Sequence, residues 1–114
     1  MKTTPIFTKV FDFISWLVPK AKDFPKSQRF VVTKRLLDAA LDMMEFLVAA
    51  NSLRGKERAR QLAFADIELD KVRIYLRMIY RWQWISQAQY GHAAKYVTEI
   101  GRLLGGWKKK TRQS

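Results

Sequence analysis

Apolar residues recur along this chain at alternating steps of three and four, the spacing that gathers them on one face of an α-helix. The pattern is cleanest at Leu62, Ala65, Leu69, Val72, Leu76 and Ile79. It predicts a third helix from about Lys56 to Ile85, roughly 45 Å long at ~1.5 Å per residue. A second series, Phe30, Thr33, Leu37, Ala40, Met44 and Leu47, predicts a second helix that opens on Ser27 as N-cap and runs to about Ala50. Asp38, Asp42 and Glu45 form an acidic stripe on another face of it. Upstream, Pro5 suits a first helical turn, and a first helix reaches about Ala21. Its apolar positions (Ile6, Phe7, Val10, Phe11, Phe13, Ile14, Trp16, Leu17, Val18) go most of the way round. That predicts burial on two sides, one inside the domain and one against another subunit. Ser86-Gln87-Ala88-Gln89 reads as a capping box that opens a fourth helix, with Ala93, Val97, Ile100, Leu104 and Trp107 facing inward.

No run alternates at period two for long enough to make a strand. The three prolines all precede Lys26, and four of the five glycines follow Tyr90, so the middle is nearly free of helix breakers. Asp23-Phe24-Pro25-Lys26 and Asn51 to Gly55 are short connections. The fold class expected is therefore all-α: an antiparallel up-down-up-down four-helix bundle. One bundle domain is expected over residues 1–107, with 108–114 as a basic, disordered tail. Gly101 and Gly105 form a Gly-x-x-x-Gly beside Glu99 and Arg102, a setting that excludes lipid. The spacing predicts close approach of another helix or chain there, or a helix end at Gly105-Gly106.

Charge changes the picture. The 114 residues hold 22 Lys+Arg against 10 Asp+Glu, a formal charge of +12. Solubility does not require so much self-repulsion, and a polyanion, nucleic acid first, is the economical partner. The excess is uneven: residues 27–53 are neutral, whereas 54–86 carry eight basic and four acidic groups and 87–114 carry six and one. There are no cysteines, which excludes a disulfide framework and a thiolate metal site and fits a cytoplasmic protein. Asp12 interrupts the first apolar run, so no signal peptide is expected, and no stretch is long and uncharged enough to span a bilayer.

Arg73, Arg77 and Arg81 repeat every four residues beside the third seam, interleaved with Tyr75, Tyr80, Trp82 and Trp84. Arg54, Lys56, Arg58 and Arg60 lie upstream, and Arg102, Lys108, Lys109 and Lys110 downstream. Guanidinium groups grip phosphates through a planar fork. The row either contacts such a partner or closes ion pairs with Asp66, Glu68, Asp70 or the acidic stripe. The aromatic residues are expected in the core or an interface rather than as base-stacking platforms. No recognition-helix or zinc-finger spacing is present, so binding through the nucleic-acid backbone, steeply salt-dependent, is expected. Nothing assembles an enzyme. His92 is the single histidine, with Gln89 three residues before it, and there is no nucleophile elbow and no phosphate-binding glycine loop. No cofactor or metal is expected.

Gln89-Tyr90-x-His92, followed by Glu99-Ile100-Gly101-Arg102-Leu103-Leu104-Gly105-Gly106-Trp107, resembles the C-terminal signature of the accessory variability determinant (Avd) family of diversity-generating retroelements. Arg73-x-Tyr75-Leu76-Arg77 is similar to that family's Arg-x-aromatic-Leu-Arg in the third helix. The Trp82-Gln83-Trp84 cluster departs from the family's pattern. The resemblance implies a homopentameric barrel with a basic surface that binds the element's reverse transcriptase, and RNA and DNA with little sequence preference. It would support mutagenic cDNA synthesis without being the polymerase. It marks Arg73, Arg77 and Arg102 as the residues to carry over. The same motifs are similar to bundles encoded in intervening sequences of large-subunit ribosomal RNA genes. That implies, as the alternative, a structural or RNA-associated protein with no transcriptase partner.

Overall fold

The computed structural model describes residues 4–113. Four helices account for nearly all of them: α1 (Thr4–Lys20), α2 (Val32–Asn51), α3 (Gly55–Arg81) and α4 (Gln87–Gln113). Two single 3-10 turns, Ala21–Asp23 and Lys26–Gln28, connect α1 to α2. No strand occurs among the described residues. Each helix packs on the one before it, and α4 closes the ring against α1, giving the up-down-up-down bundle. Ring contacts mark the antiparallel pairings: Phe7 of α1 meets Trp107 of α4, Phe46 of α2 meets Phe64 of α3, and Tyr80 of α3 stacks on Tyr90 of α4. The bundle is 45 × 25 × 19 Å, its length set by the two 27-residue helices.

The seam of α3 is as the periodicity predicts, with Leu62, Ala65, Leu69, Val72, Leu76 and Ile79 all buried. The five inward positions of α4 are buried too. The capping box forms reciprocally: the Ser86 amide donates to Gln89 Oε1 (2.8 Å) and the Gln89 amide to Ser86 Oγ (3.1 Å). On α1, Ile6, Val10, Phe13 and Leu17 enter the core, Phe7, Ile14 and Trp16 are half-buried, and Phe11 and Val18 are exposed.

Four expectations are corrected. Ser27 does not cap α2; it lies in the second 3-10 turn, and α2 begins at Val32. Phe30 is consequently outside the helix and 80% exposed. The α2 seam runs through Thr33, Leu36, Ala39, Ala40, Met43, Leu47 and Ala50, with Leu37 and Met44 at its edge. α3 ends at Arg81, not Ile85, because Gln83 takes a left-handed backbone (φ 65°). The Gln83 amide then donates to the Tyr80 carbonyl (3.0 Å) and the Trp84 amide to Ile79 (2.9 Å), the Schellman pattern that closes a helix. Finally, α4 does not stop at the Gly105-Gly106 pair. It continues to Gln113, so the segment expected to be disordered from Lys108 is helical up to that residue. Lys108 bonds Asp66 of α3 (2.7 Å), and buried Thr111 donates to the Trp107 carbonyl (2.8 Å).

A left-handed backbone at a non-glycine residue costs about 1–2 kcal/mol. Gln83→Gly is therefore expected to raise the thermal midpoint by roughly 4 °C, while Gln83→Val lowers it. Circular-dichroism melts of the two variants check this.

Candidate functional site

Two groups of cations separate in the structure: those bonded within the chain and those facing solvent. Arg58 belongs to the first. Its Nε donates to the Ala50 carbonyl (2.9 Å), its Nη2 reaches the Asn51 carbonyl (3.5 Å), and its guanidinium lies 5.7 Å from the Trp107 ring centroid. A cation at the last carbonyls of α2 complements the negative end of that helix. Arg58 is thus a structural clasp between α2, α3 and α4. Lys108 is likewise held by Asp66.

Arg73 is seated in the α3–α4 groove. Its Nη1 donates to Asp70 (2.8 Å), and a Cβ built on Gly101 of α4 would collide with its Nη2. The close approach expected at Gly101 therefore exists, but what approaches is an arginine side chain rather than a helix backbone. No neighbouring atom crowds Gly105 or Gly106. Arg77 and Arg81, one and two turns further on, are exposed and form no ion pair among the described residues. The acidic stripe of α2 does not reach this row: Asp38 pairs with Lys34 on its own helix, and Asp42 and Glu45 form no ion pair among the described residues.

Arg102 donates through Nε (3.1 Å) and Nη2 (2.5 Å) to both carboxylate oxygens of Glu99. These hydrogen bonds, helped by the charges of Arg102 and Lys9, hold the Glu99 carboxyl below its ordinary value. Glu99 in turn holds the Arg102 guanidinium above its own. The pair is on the surface and contributes little stability, so Arg102 remains presented to solvent, 67% exposed.

At the end of the bundle where α3 starts and α4 finishes, Arg54, Lys56, Arg60 and Lys109 are exposed, with no ion pair among the described residues. Lys110 is exposed beside them. Arg54 and Lys56 flank Gly55, whose positive φ (58°) makes the turn into α3. Cations at a helix N-terminus oppose its dipole, so this placement gains from a bound anion. Arg54, Gly55, Arg58 and Thr111 line a hollow of about 510 Å³ there.

The remaining sequence candidates range from half-buried to exposed, and His92 is among the exposed ones. His92 lies between Trp16 (5.3 Å) and Tyr96 (5.0 Å). Tyr75, Tyr80 and Trp84 are half-buried against the core, whereas Trp82 is 46% exposed. No group of histidine and carboxylate side chains suited to a metal ion occurs among the described residues. No helix among them is long and apolar enough to cross a membrane. Sequence reasoning missed the clasp role of Arg58, which depends on where α2 ends. It also missed the Gly101 seat, for which the glycine in the middle of an apolar helix was the available signal.

Comparison with known proteins adds a family. The sequence model described as bAvd-like matches residues 6–111. A crystal structure of a protein of unknown function from the S23 ribosomal protein family of Bacteroides thetaiotaomicron VPI-5482 superposes with a TM-score of 0.85 at 23% identity, covering 96% of this chain and 99% of that one. At that identity the likeness shows the fold. No curated protein matches the chain.

Two substitutions separate the clasp from the seat. Arg58→Ala is expected to lose about 2 kcal/mol, and Arg58→Lys to recover only part of it because an ammonium lacks the fork. Gly101→Ala is expected to melt within a few degrees of the parent. The gain in helix propensity is about 1 kcal/mol, and only the flexible end of Arg73 has to move. Denaturant titration measures both, and a shifted Arg73 Nε–H resonance shows that the side chain has left its groove.

Proposed function

The chain belongs to the bAvd-like family, and from that premise we propose that it is the accessory subunit of a diversity-generating retroelement. It binds the element's reverse transcriptase and, through the sugar-phosphate backbone, RNA and DNA. It supports mutagenic cDNA synthesis and performs no catalysis itself. The observation that carries the nucleic-acid part is the set of exposed cations without ion pairs among the described residues, Arg77 and Arg81 on α3 and Arg54, Lys56, Arg60 and Lys109 at the bundle end, on a chain of charge +12. Like charges left unneutralised repel one another, and a phosphate backbone relieves that repulsion while releasing its own counterions. Arg73, Arg102 and Lys110 extend this surface; Arg58 and Lys108 serve it by holding the helices that carry it.

The working form in this reading is a cytoplasmic homopentamer. Phe11 on α1 and Phe64, Ile67 and Ile74 on α3 support the oligomer, since they leave apolar surface outside the core. The second reading, a structural or RNA-associated bundle of the ribosomal-intervening-sequence kind, draws on the likeness to the S23-family structure, which concerns fold alone. Co-purification with a transcriptase encoded beside the gene separates the two.

Replacing Arg77 and Arg81 with Glu is expected to preserve helicity and weaken binding to a blunt duplex. The slope of log affinity against log salt should fall by about one for each phosphate that is no longer neutralised. Fluorescence anisotropy at several salt concentrations reads the slope. An unchanged slope assigns these arginines to another role.

A further inference from the structure

At the opposite end of the bundle, the last turn of α1, the connecting 3-10 turns and the first turns of α2 enclose a cleft of about 330 Å³. This volume lies at the lower limit of small-ligand clefts, ~300–1,000 Å³. Its walls include Val18, Phe24 and Leu37, and its rim carries Lys22, Lys26 and Arg29. All three cations are exposed and form no ion pair among the described residues. Thr33 also lines the cleft; it is only 5% exposed, and its Oγ1 is buried with no hydrogen-bond partner among the described residues. A buried hydroxyl left unpaired destabilises a fold, so its position in a cleft is itself a pointer to a ligand.

Pro25 forms a wall shared with a second hollow of about 360 Å³, which Ser27, Gln28, Trp82 and Trp84 complete. Phe24 in the first cleft touches Trp84 (5.6 Å), and Trp84 touches the exposed Trp82 (5.4 Å). Apolar walls, a buried unpaired hydroxyl, three exposed cations and an adjacent exposed indole fit one chemistry: a flat heterocycle joined to phosphate, with a second flat ring beside it.

We propose that this end of the bundle binds an unpaired stretch of nucleic acid. One base enters the cleft within reach of the Thr33 hydroxyl, its phosphate lies on Lys22, Lys26 and Arg29, and the neighbouring base stacks on Trp82. A duplex cannot enter, because its bases are already stacked and paired. The site rests on the nucleic-acid part of the proposed function but uses different residues from the α3 row.

The test compares a five-residue oligothymidylate, thymidine monophosphate and a blunt duplex on the full chain, followed by anisotropy for the strands and tryptophan fluorescence for the nucleotide. Thr33→Val removes the orphan hydroxyl and is expected to melt no lower than the parent, yet to bind the oligothymidylate about fivefold more weakly. Lys26→Gln with Arg29→Gln is expected to weaken it about tenfold. Duplex affinity should stay within about twofold in the Thr33→Val variant, whose charge is unchanged. Equal oligothymidylate affinity in the parent and Thr33→Val overturns the site, and if the parent still holds the duplex the proposed function stands without it. Strand binding that depends on Thr33, with no duplex binding at all, keeps the site and overturns the duplex reading. Monophosphate binding as tight as the strand's overturns the assignment to a polymer.

Discussion

The guanidinium of Arg58 bonds the final carbonyls of α2 and lies over the Trp107 ring of α4, which in turn meets Phe7 of α1. One side chain of α3 thereby engages two other helices and, through the indole, the third. The α2–α3 connection, Ser52 to Arg54, keeps those two helix ends adjacent, and Arg58 brings α4 to the same place. A chain of charge +12 also tends to push this cation-rich end apart. The clasp turns one of those cations into an attraction by giving it carbonyl acceptors and an aromatic face. With α4 held at Trp107, its last turns can continue past two glycines to the Lys108–Asp66 pair.

Cations in this bundle are sorted by whether the fold supplies an acceptor. Arg58 has carbonyls, Arg73 has Asp70, Arg102 has Glu99 and Lys108 has Asp66. Arg77, Arg81 and the cations flanking Gly55 have no such acceptor among the described residues. Charge counted along the sequence cannot distinguish these groups, and only the second adds fully to the field an approaching polyanion meets. The two ends of the bundle differ as well. One presents cations around a helix start, and the other combines cations with an exposed indole and an apolar cleft.

The sequence was most legible where one apolar series ran unbroken. In α3 the steps of three and four from Leu62 to Ile79 meet no charge, whereas the neighbouring series through Phe64, Ile67 and Ile74 is interrupted by Lys71. The Ser86–Gln89 box was legible because both partners lie within four residues of each other. In α2, adjacent Leu36-Leu37 and Met43-Met44 offer two seams that share Thr33, Ala40 and Leu47, and neighbours 100° apart on a helix are separated only by the packing of other helices. The extension of α4 was illegible for a related reason: its support comes from Asp66, more than forty residues away. The basic row was found as a row, but not that Arg73 alone sits in a groove, since that depends on the α3–α4 register.

That register has a consequence for chain length. Arg73 lies seven positions after Asp66 along α3, and Lys108 seven positions after Gly101 along α4; Arg73 meets Gly101 and Asp66 meets Lys108. Adding or deleting one residue between either pair of positions would rotate everything beyond it by about 100°. The salt bridge and the glycine notch could then no longer form together. Relatives that keep both contacts must therefore accommodate insertions and deletions in the turn between α3 and α4 or outside these two heptads, whatever else drifts in their sequences.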